Sequence, residues 1–246
     1  MRYHIDTIPV WDALKLNKGC LLCALREKTE ETLVGRCLGA SLMEPATRIR
    51  ANEKGFCQKH QDMLFKQENK LGHALLMQSH LEQVNKKLEN EFDKALNKKK
   101  KSMFFKTQSP SESYFGKFLD SCLVCEDLDS NMQRYCYSLL HLYKTDSNFK
   151  KEFLLSKGLC LPDLRLVIDM AEKQYNDKLY RQLIKDLKQQ TLSQLKQIKE
   201  DIDWFTQKFD YRNQNAPWKN SKDALERCIN FLSGKTIGEA FWGKEK

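Results

Sequence analysis

The sequence predicts an all-α protein built from two pseudo-repeats of a zinc-stapled helical unit, each ending in a long helix and packed as a helical bundle. Three observations predict this fold. Glycines and prolines are sparse, ten and five in 246 residues, so the chain has few helix breakers. Apolar residues recur at helical spacing over long stretches. A pair of short cysteine motifs also occurs twice.

The repeat rests on these paired motifs. Cys20-Leu-Leu-Cys23 is followed by Cys57-Gln-Lys-His60, and Cys122-Leu-Val-Cys125 by Cys160-Leu-Pro-Asp163. Self-similarity at a nearly fixed offset indicates two copies of one supersecondary unit. We therefore predict a first repeat over residues 1–97, a basic and polar linker over 98–113, a second repeat over 114–210, and a C-terminal loop and short helix over 211–246.

The first repeat predicts a helix from Leu22 to Met43 that ends before Pro45, because the residue before a proline avoids the helical region. An extended return over 44–56 would bring Cys57 back to Cys20, or a bend of the helix at Gly35 or Gly39 would shorten that return. A long helical run then continues from His60 to about Asn97.

The second repeat predicts a short helix over 147–156 and a long run from Leu164 to Phe209. Apolar residues in that run alternate at steps of three and four, which is typical of helices that pack lengthwise. We expect the two long helices to pack on each other, although pairing between two copies of the chain would give the same pattern. The last dozen residues of the chain are expected to be frayed.

The compartment decides how the nine cysteines are interpreted. The first residues lack a signal-peptide pattern, and no stretch of about 18 apolar residues predicts a membrane helix. We expect a cytoplasmic protein without a membrane partner, where thiols stay reduced and CxxC pairs favour metal ligation over disulfides.

The local spacing predicts that Cys20, Cys23, Cys57 and His60 form one closed zinc site of the Cys3His type. A dithiol redox pair and buried cysteines without a ligand are the alternatives. Cys122, Cys125, Cys160 and Asp163 form the second set, in which Asp163 replaces the histidine. Asp163 is the fourth ligand, or the metal is lost and the cysteines are core residues, or the site is open.

Several longer motifs resemble an uncharacterised family of bacterial cytoplasmic cysteine-rich proteins, many from Firmicutes. The motifs include Tyr3-His4-Ile5-Asp6-Thr7-Ile8-Pro9-Val10-Trp11-Asp12, Gly158-Leu159-Cys160-Leu161-Pro162 and Lys208-Phe209-Asp210-Tyr211-Arg212-Asn213. The resemblance spans nearly the whole chain and implies no established activity. It also implies a histidine at the end of the second repeat, where this chain has Asp163.

No catalytic signature occurs in the sequence, so we lean against an enzyme. We predict a zinc-binding, non-enzymatic scaffold for a protein partner or a second copy of the chain. The alternative is a thiol-based redox or metal sensor that uses the second cluster. Nucleic-acid binding is less favoured and rests on the net charge of +9 and on Lys98–Lys101. A polar and aromatic segment near the C-terminus is a possible binding surface: Asp210, Tyr211, Arg212, Asn213, Trp218, Asn220 and Lys222.

Overall fold

The computed structural model describes residues 7–97 and 121–242. These residues form α-helices and short 3-10 turns without a strand, which confirms the all-α class. The predicted linker at 98–113, its lysine run and the start of the second repeat up to residue 120 lie outside the described residues. None of the described helices has the length and apolar character that crossing a membrane requires.

Ten α-helices follow one another in the described ranges. They are α1 (Thr7–Leu16), α2 (Leu21–Leu38), α3 (Pro45–Lys54), α4 (Gln58–Lys66), α5 (Lys70–Asn97), α6 (Leu123–Thr145), α7 (Ser147–Leu155), α8 (Leu161–Gln174), α9 (Asp177–Gln207) and α10 (Ala224–Ser233). Turns of 3-10 helix lie at Ala40–Met43 and Tyr211–Asn213. The short helix predicted over 147–156 is thus confirmed as α7.

The segment after α2 differs from the prediction. The helix ends at Leu38, and Pro45 is the first residue of the new helix α3, so the expected extended return is wrong. A proline suits this first helical position because its missing N–H would have no partner there. Gly55 ends α3 with a φ of 63°, a conformation that glycine adopts without strain.

Both long helical runs are interrupted. The first divides into α4 and α5 at residues 67–69, and the second divides into α8 and α9 at Tyr175 and Asn176. The Asn176 side chain accepts a hydrogen bond from the N–H of Leu179 and so caps α9. An N-terminal cap of this kind begins a helix rather than continuing one, which explains the break.

The helices form two compact units. The terminal unit comprises Met1–Lys28 and Asn131–Lys246, and the central unit comprises Thr29–Ser130. In the terminal unit, α9 packs on α7, α8 and α10. In the central unit, α5 packs on α3 and α4. The expected packing of α5 on α9 and the repeat boundaries remain predictions.

The start of α7 gives a test of local stability. The Asp146 carboxylate accepts hydrogen bonds from the N–H groups of Asn148 and Phe149, and Phe149 is fully buried. We expect Asp146→Ala to lower the free energy of unfolding by about 1 kcal/mol, because two N–H groups lose their acceptor. Urea denaturation followed by circular dichroism measures the change. Asp146→Asn keeps an acceptor and should retain most of the stability, and Lys151→Ala on the exposed face is the matched control.

Candidate metal centres

Each of the four predicted motifs lies at the start of a helix. Cys57 is the N-cap of α4 and Cys160 the N-cap of α8, while α2 and α6 begin directly after Cys20 and Cys122. The second ligand of each motif follows three residues later, on the same side of the first turn. The positive end of the helix dipole favours thiolates at this position. The spacing of the CxxC, CxxH and CxxD motifs therefore follows from their position in the first turn of a helix, where residues three apart present two donors on one side.

The structure groups the motifs differently from the sequence prediction. Each CxxC joins the motif of the other repeat, which gives two sets of four donor atoms that lie within 4.8 Å of one another. We call them the Asp163 site (Cys20, Cys23, Cys160 and Asp163) and the His60 site (Cys57, His60, Cys122 and Cys125). The predicted local pairing of Cys20 with Cys57, and of Cys122 with Cys160, is wrong. The extended return that it required is replaced by α3.

The donor atoms of the Asp163 site have the spacing of a tetrahedral ion site. The Oδ2 atom of Asp163 lies 3.2 Å from the Sγ atoms of Cys20 and Cys160 and 3.3 Å from that of Cys23. The Sγ atoms of Cys23 and Cys160 are 3.5 Å apart. A tetrahedron with Zn–S bonds of about 2.3 Å has edges of about 3.8 Å, so a small outward movement of the four donor atoms would accommodate zinc.

The His60 site has a similar geometry. The Nδ1 atom of His60 lies 3.2 Å from the Sγ atoms of Cys57 and Cys122 and 3.4 Å from that of Cys125. The Sγ atoms of Cys57 and Cys125 are 3.8 Å apart. His60 is 1% exposed, so its ring is held inside the central unit. All four donors converge on one point, as a closed Cys3His site requires.

Two charged residues on α2 orient the non-cysteine ligands. The Nε2 atom of His60 lies 2.9 Å from Oε1 of Glu30, which leaves Nδ1 facing the sulfur atoms. Arg26 donates a hydrogen bond of 2.9 Å to Oδ1 of Asp163, which leaves Oδ2 facing its cysteines. Outer partners of this kind fix a ligand's orientation and tune its basicity. Neither residue was predicted from the sequence.

The protein environment changes the proton affinity of both clusters. Burial disfavours the charged form of His60, but its hydrogen bonds with Cys122 and Glu30 outweigh burial and raise its pKa to about 10. Hydrogen bonding with Cys160, and then with Cys20, lowers the pKa of Cys23 well below the usual range of a thiol. Within each cluster, protons are thus held in hydrogen bonds between the donor groups. A bound cation would displace those protons.

The C-terminal segment covers the Asp163 site. Gly234 has a φ of 80°, and a Cβ atom on it would lie 3.9 Å from the Sγ atoms of both Cys23 and Cys160. The next N–H group, that of Lys235, donates a hydrogen bond of 3.3 Å to Cys23 Sγ. Phe241 is buried, and its N–H donates to the Glu27 carboxylate. The expected frayed tail is therefore wrong up to the last described residue.

The terminal unit also contains a cavity of about 1100 Å³ beside the Asp163 site. Its wall includes Cys20, Cys23 and Cys160, while Asp163 is not among the lining residues. The rest of the wall comes from one face of α9, from α10 and from the segments next to them. The Asp163 site therefore lies next to a space large enough for a small molecule, while its four donor atoms are themselves buried.

The match to a known family covers residues 1–239, nearly the whole chain. The chain belongs to the family of unknown function DUF6062. No curated protein and no solved structure matches it. The predicted membership of an uncharacterised family is confirmed, and the bacterial and cytoplasmic assignments remain predictions. The side-chain geometry of this DUF6062 protein is therefore the basis for assigning its function.

The predicted binding surface divides into two parts. Asn220 and Lys222 line the cavity of the terminal unit. Tyr211 is 79% exposed beside an exposed ion pair between Asp210 and Arg212, and Asn213 and Trp218 take part in the packing of the loop. Only the first part is thus brought near the cysteine clusters, and a binding role for the whole surface remains a prediction.

Lys208 fixes the loop over residues 213–216, a role that was not predicted from the sequence. Its Nζ atom donates hydrogen bonds to the carbonyl groups of Asn213, Gln214 and Ala216, and the residue is 5% exposed. We expect Lys208→Met to lower the free energy of unfolding by about 2–3 kcal/mol, because three charge-assisted hydrogen bonds from a buried ammonium group to backbone carbonyls are lost. Thermal unfolding measures the loss. Lys199→Met, on the exposed face of the same helix, should change stability by less than about 0.5 kcal/mol.

Glu30 gives a direct test of the His60 site. We expect Glu30→Gln to weaken the binding of a metal ion there by about 10–100-fold, because the ring of His60 loses a charged acceptor that orients it. Competition with a chromophoric chelator measures the affinity. The neighbouring Glu31 is exposed, so Glu31→Gln should leave the affinity unchanged. Equal affinities in the two variants would show that Glu30 does not support the ligand.

Proposed function

We propose that this DUF6062 protein binds two zinc ions and acts as a non-enzymatic scaffold for a protein partner. The observation that carries the proposal is the convergence of four donors in each of two sites. Zinc fits best because thiolate, imidazole and carboxylate are its usual ligands and tetrahedral geometry is its usual preference. The many sulfur donors disfavour magnesium and calcium, which prefer oxygen.

The positions of the ligands favour a structural role for the ions. Each site joins the starts of two helices that are far apart in the chain, so an ion there links segments that the sequence does not hold together. Four protein ligands around one ion leave no open position, which is typical of structural sites. Cys20 and Asp163 are separated by more than half of the chain. Zinc at this site therefore closes a long loop.

The exchange of motifs also supports the proposed two-repeat organisation. The Asp163 site takes its CxxC from the first repeat and its CxxD from the second, whereas the His60 site takes its motifs the other way round. Two copies of one unit that exchange equivalent halves would give this reciprocal pattern. The repeat thus explains why two sites with nearly the same ligands occur in one chain.

The second half of α5 favours a protein partner. Leu81 and Leu96 are 64% and 83% exposed, and Val84 and Leu88 between them are half-buried. Apolar side chains at steps of three and four on an exposed helix are typical of a helix-pairing face. Acidic and basic residues are mixed along the same stretch, so it can pair with itself. A second copy of the chain is the partner we propose.

Metal content per chain tests the zinc part of the proposal. Protein purified without a chelator should carry two zinc ions, and His60→Ala and Asp163→Ala should each retain one tightly bound ion. Glu31→Gln is the control and should retain both. Wild-type protein without zinc, or with an ion that neither substitution removes, would contradict the proposal.

Sedimentation velocity tests the partner part. The wild-type chain should sediment as a dimer, and Leu81→Glu with Leu96→Glu should make it a monomer of unchanged helical content. Leu71→Glu, at an exposed leucine in the first turn of α5, is the matched control. A monomeric wild-type chain would contradict self-pairing and leave zinc binding unaffected.

A thiol-based sensor is the second candidate function, and the cavity beside the Asp163 site favours it. Oxidants that reach Cys20, Cys23 and Cys160 through the cavity would release zinc by forming a disulfide. Zinc release under hydrogen peroxide, compared between His60→Ala and Asp163→Ala, measures which site responds. Nucleic-acid binding remains the weaker alternative, and binding that does not fall with added salt would exclude a phosphate-driven interaction.

A further inference from the structure

The segment over residues 234–242, which we call the C-terminal strap, covers the Asp163 site. All four donor atoms of that site are buried. The backbone of Gly234 lies against two of them, since a Cβ atom there would be 3.9 Å from the Sγ atoms of Cys23 and Cys160. The N–H group of Lys235 donates a hydrogen bond of 3.3 Å to the Cys23 sulfur. The closed strap therefore blocks the approach of an external donor to these sulfur atoms.

The far end of the strap is fastened to α2 and to the residue before Cys20. The N–H group of Phe241 donates a hydrogen bond of 2.7 Å to the Glu27 carboxylate. The indole Nε1–H of Trp242 donates one of 2.7 Å to the carbonyl group of Ala24. The Phe241 ring packs on Gly19, where a Cβ atom would lie 3.2 Å from it. An irregular segment held in this way opens locally at a much lower free energy than the packed helices unfold.

The near end of the strap is fixed to α10. The Asn230 side chain, in the last turn of that helix, accepts hydrogen bonds of 2.9 Å and 3.1 Å from the N–H groups of Thr236 and Ile237. The strap also contributes Glu239 and Phe241 to the wall of the cavity. Release of the far end would therefore open the Asp163 site on its cavity side, while the near end stays attached.

The His60 site has more accessible donors. The donor atoms of Cys57 and Cys125 are half-buried there, whereas all four donors of the Asp163 site are buried. Ligand chemistry alone predicts that the His60 site releases its ion more slowly, because imidazole suits zinc better than a carboxylate does. A closed strap predicts the opposite order. The relative release rates of the two ions therefore distinguish the two explanations.

We propose that the C-terminal strap gates metal exchange at the Asp163 site, so that this ion leaves more slowly than the ion of the His60 site. This inference rests on the zinc binding proposed above. The strap opens first, the donors of a chelator then replace the four protein donors on zinc, and the released thiolates take up protons from solvent. No electron is transferred. Oxidants that approach from the cavity would meet the same strap.

The rate of zinc release from the full chain tests the gate. We would mix the zinc-loaded chain with an excess of the chromophoric chelator pyridylazoresorcinol and follow the absorbance of its zinc complex. The wild-type chain should release its two ions in a fast and a slow phase, at least about tenfold apart in rate. Asp163→Ala should show the fast phase alone and His60→Ala the slow phase alone, because each keeps one intact site.

Variants at the far end of the strap should change the slow phase only. Phe241→Ala/Trp242→Ala should accelerate it at least about tenfold, because a hydrogen bond and the packing of two rings no longer oppose opening. Trp242→Phe keeps a ring and loses the Nε1–H group, so the acceleration should be about two- to tenfold. Tyr211→Ala is the control, since it removes a ring that is 79% exposed in the same unit and should leave both phases unchanged.

The equilibrium affinity distinguishes a gate from a support for the ligands. The strap supplies none of the four donors. Phe241→Ala/Trp242→Ala should therefore speed the entry and the release of zinc by similar factors and leave the affinity nearly unchanged, because affinity is the ratio of the two rates. A strap that only steadied Cys23 would instead lower the affinity by the same factor as it raised the release rate. Chelator competition at equilibrium measures the difference.

The outcomes separate this inference from the zinc proposal. A chain that binds no zinc would overturn both. Two bound ions, with release from the Asp163 site as fast as from the His60 site, would overturn the gate alone. A slow phase that Phe241→Ala/Trp242→Ala leaves unchanged would also overturn it, as would an acceleration matched by an equal loss of affinity. The wild-type rates and Trp242→Phe decide the result if the double variant fails to fold.

Discussion

The double variant Cys20→Ser/Asp163→Ala should retain one tightly bound zinc ion per chain, whereas Cys20→Ser/His60→Ala should retain none. The first pair of substitutions removes two ligands from the Asp163 site and leaves the His60 site complete. The second pair removes one ligand from each site. Loss of a direct ligand should weaken binding by more than the roughly 100-fold expected for loss of an outer partner, so neither impaired site should resist a chelator.

Local pairing of the motifs would give the reverse result. If Cys20, Cys23, Cys57 and His60 shared one ion, Cys20→Ser/His60→Ala would damage a single site and keep one ion. Metal analysis after dialysis against a chelator therefore distinguishes the two pairings, and single variants cannot. Cys228→Ser is the control, since Cys228 belongs to neither group and both ions should remain. Circular dichroism verifies that each variant stays helical.

The pairing was the main feature that sequence reasoning could not supply. The four motifs present donors with the same spacing, so Cys20 and Cys23 could join either Cys57 and His60 or Cys160 and Asp163. Proximity in the chain favoured the first choice. The long return that it needed, over a helix of about 30 Å, was the signal against it. The helical character of Pro45–Lys54 then removed the extended segment that would have made that return.

The eight candidate donors could be predicted from the sequence because their chemistry is local. A CxxC at a helix start presents two sulfurs whichever partner it meets, so all eight donors could be named from spacing. Arg26 and Glu30 were missed because each acts on a ligand that is distant in sequence or on another helix. Their spacing from Cys23, three and seven residues, places them on one face of α2 and was the available signal. Lys208 gave no signal, since its three acceptors are backbone carbonyls.

Removal of zinc by a chelator should lower the midpoint of thermal unfolding of the wild-type chain. An ion that binds only the folded state at about 1,000 times its dissociation constant stabilises it by about 4 kcal/mol. For a chain of this size, each kcal/mol corresponds to about 2–4 °C, so each ion should contribute about 8–16 °C. Differential scanning calorimetry with and without a chelator measures the shift.

The pH dependence and a variant control determine whether this shift comes from the two clusters. Zinc must displace protons from the thiols, and His60 with a pKa of about 10 must also lose one, so binding weakens as pH falls. The difference in unfolding midpoint with and without zinc should therefore become smaller as the pH falls from about 8 to about 5, because protons compete more strongly for the same donors. The chelator should have little effect on Cys20→Ser/His60→Ala. A wild-type midpoint that the chelator leaves unchanged would mean that the helices hold the donors together without an ion, and the structural role of zinc would be wrong.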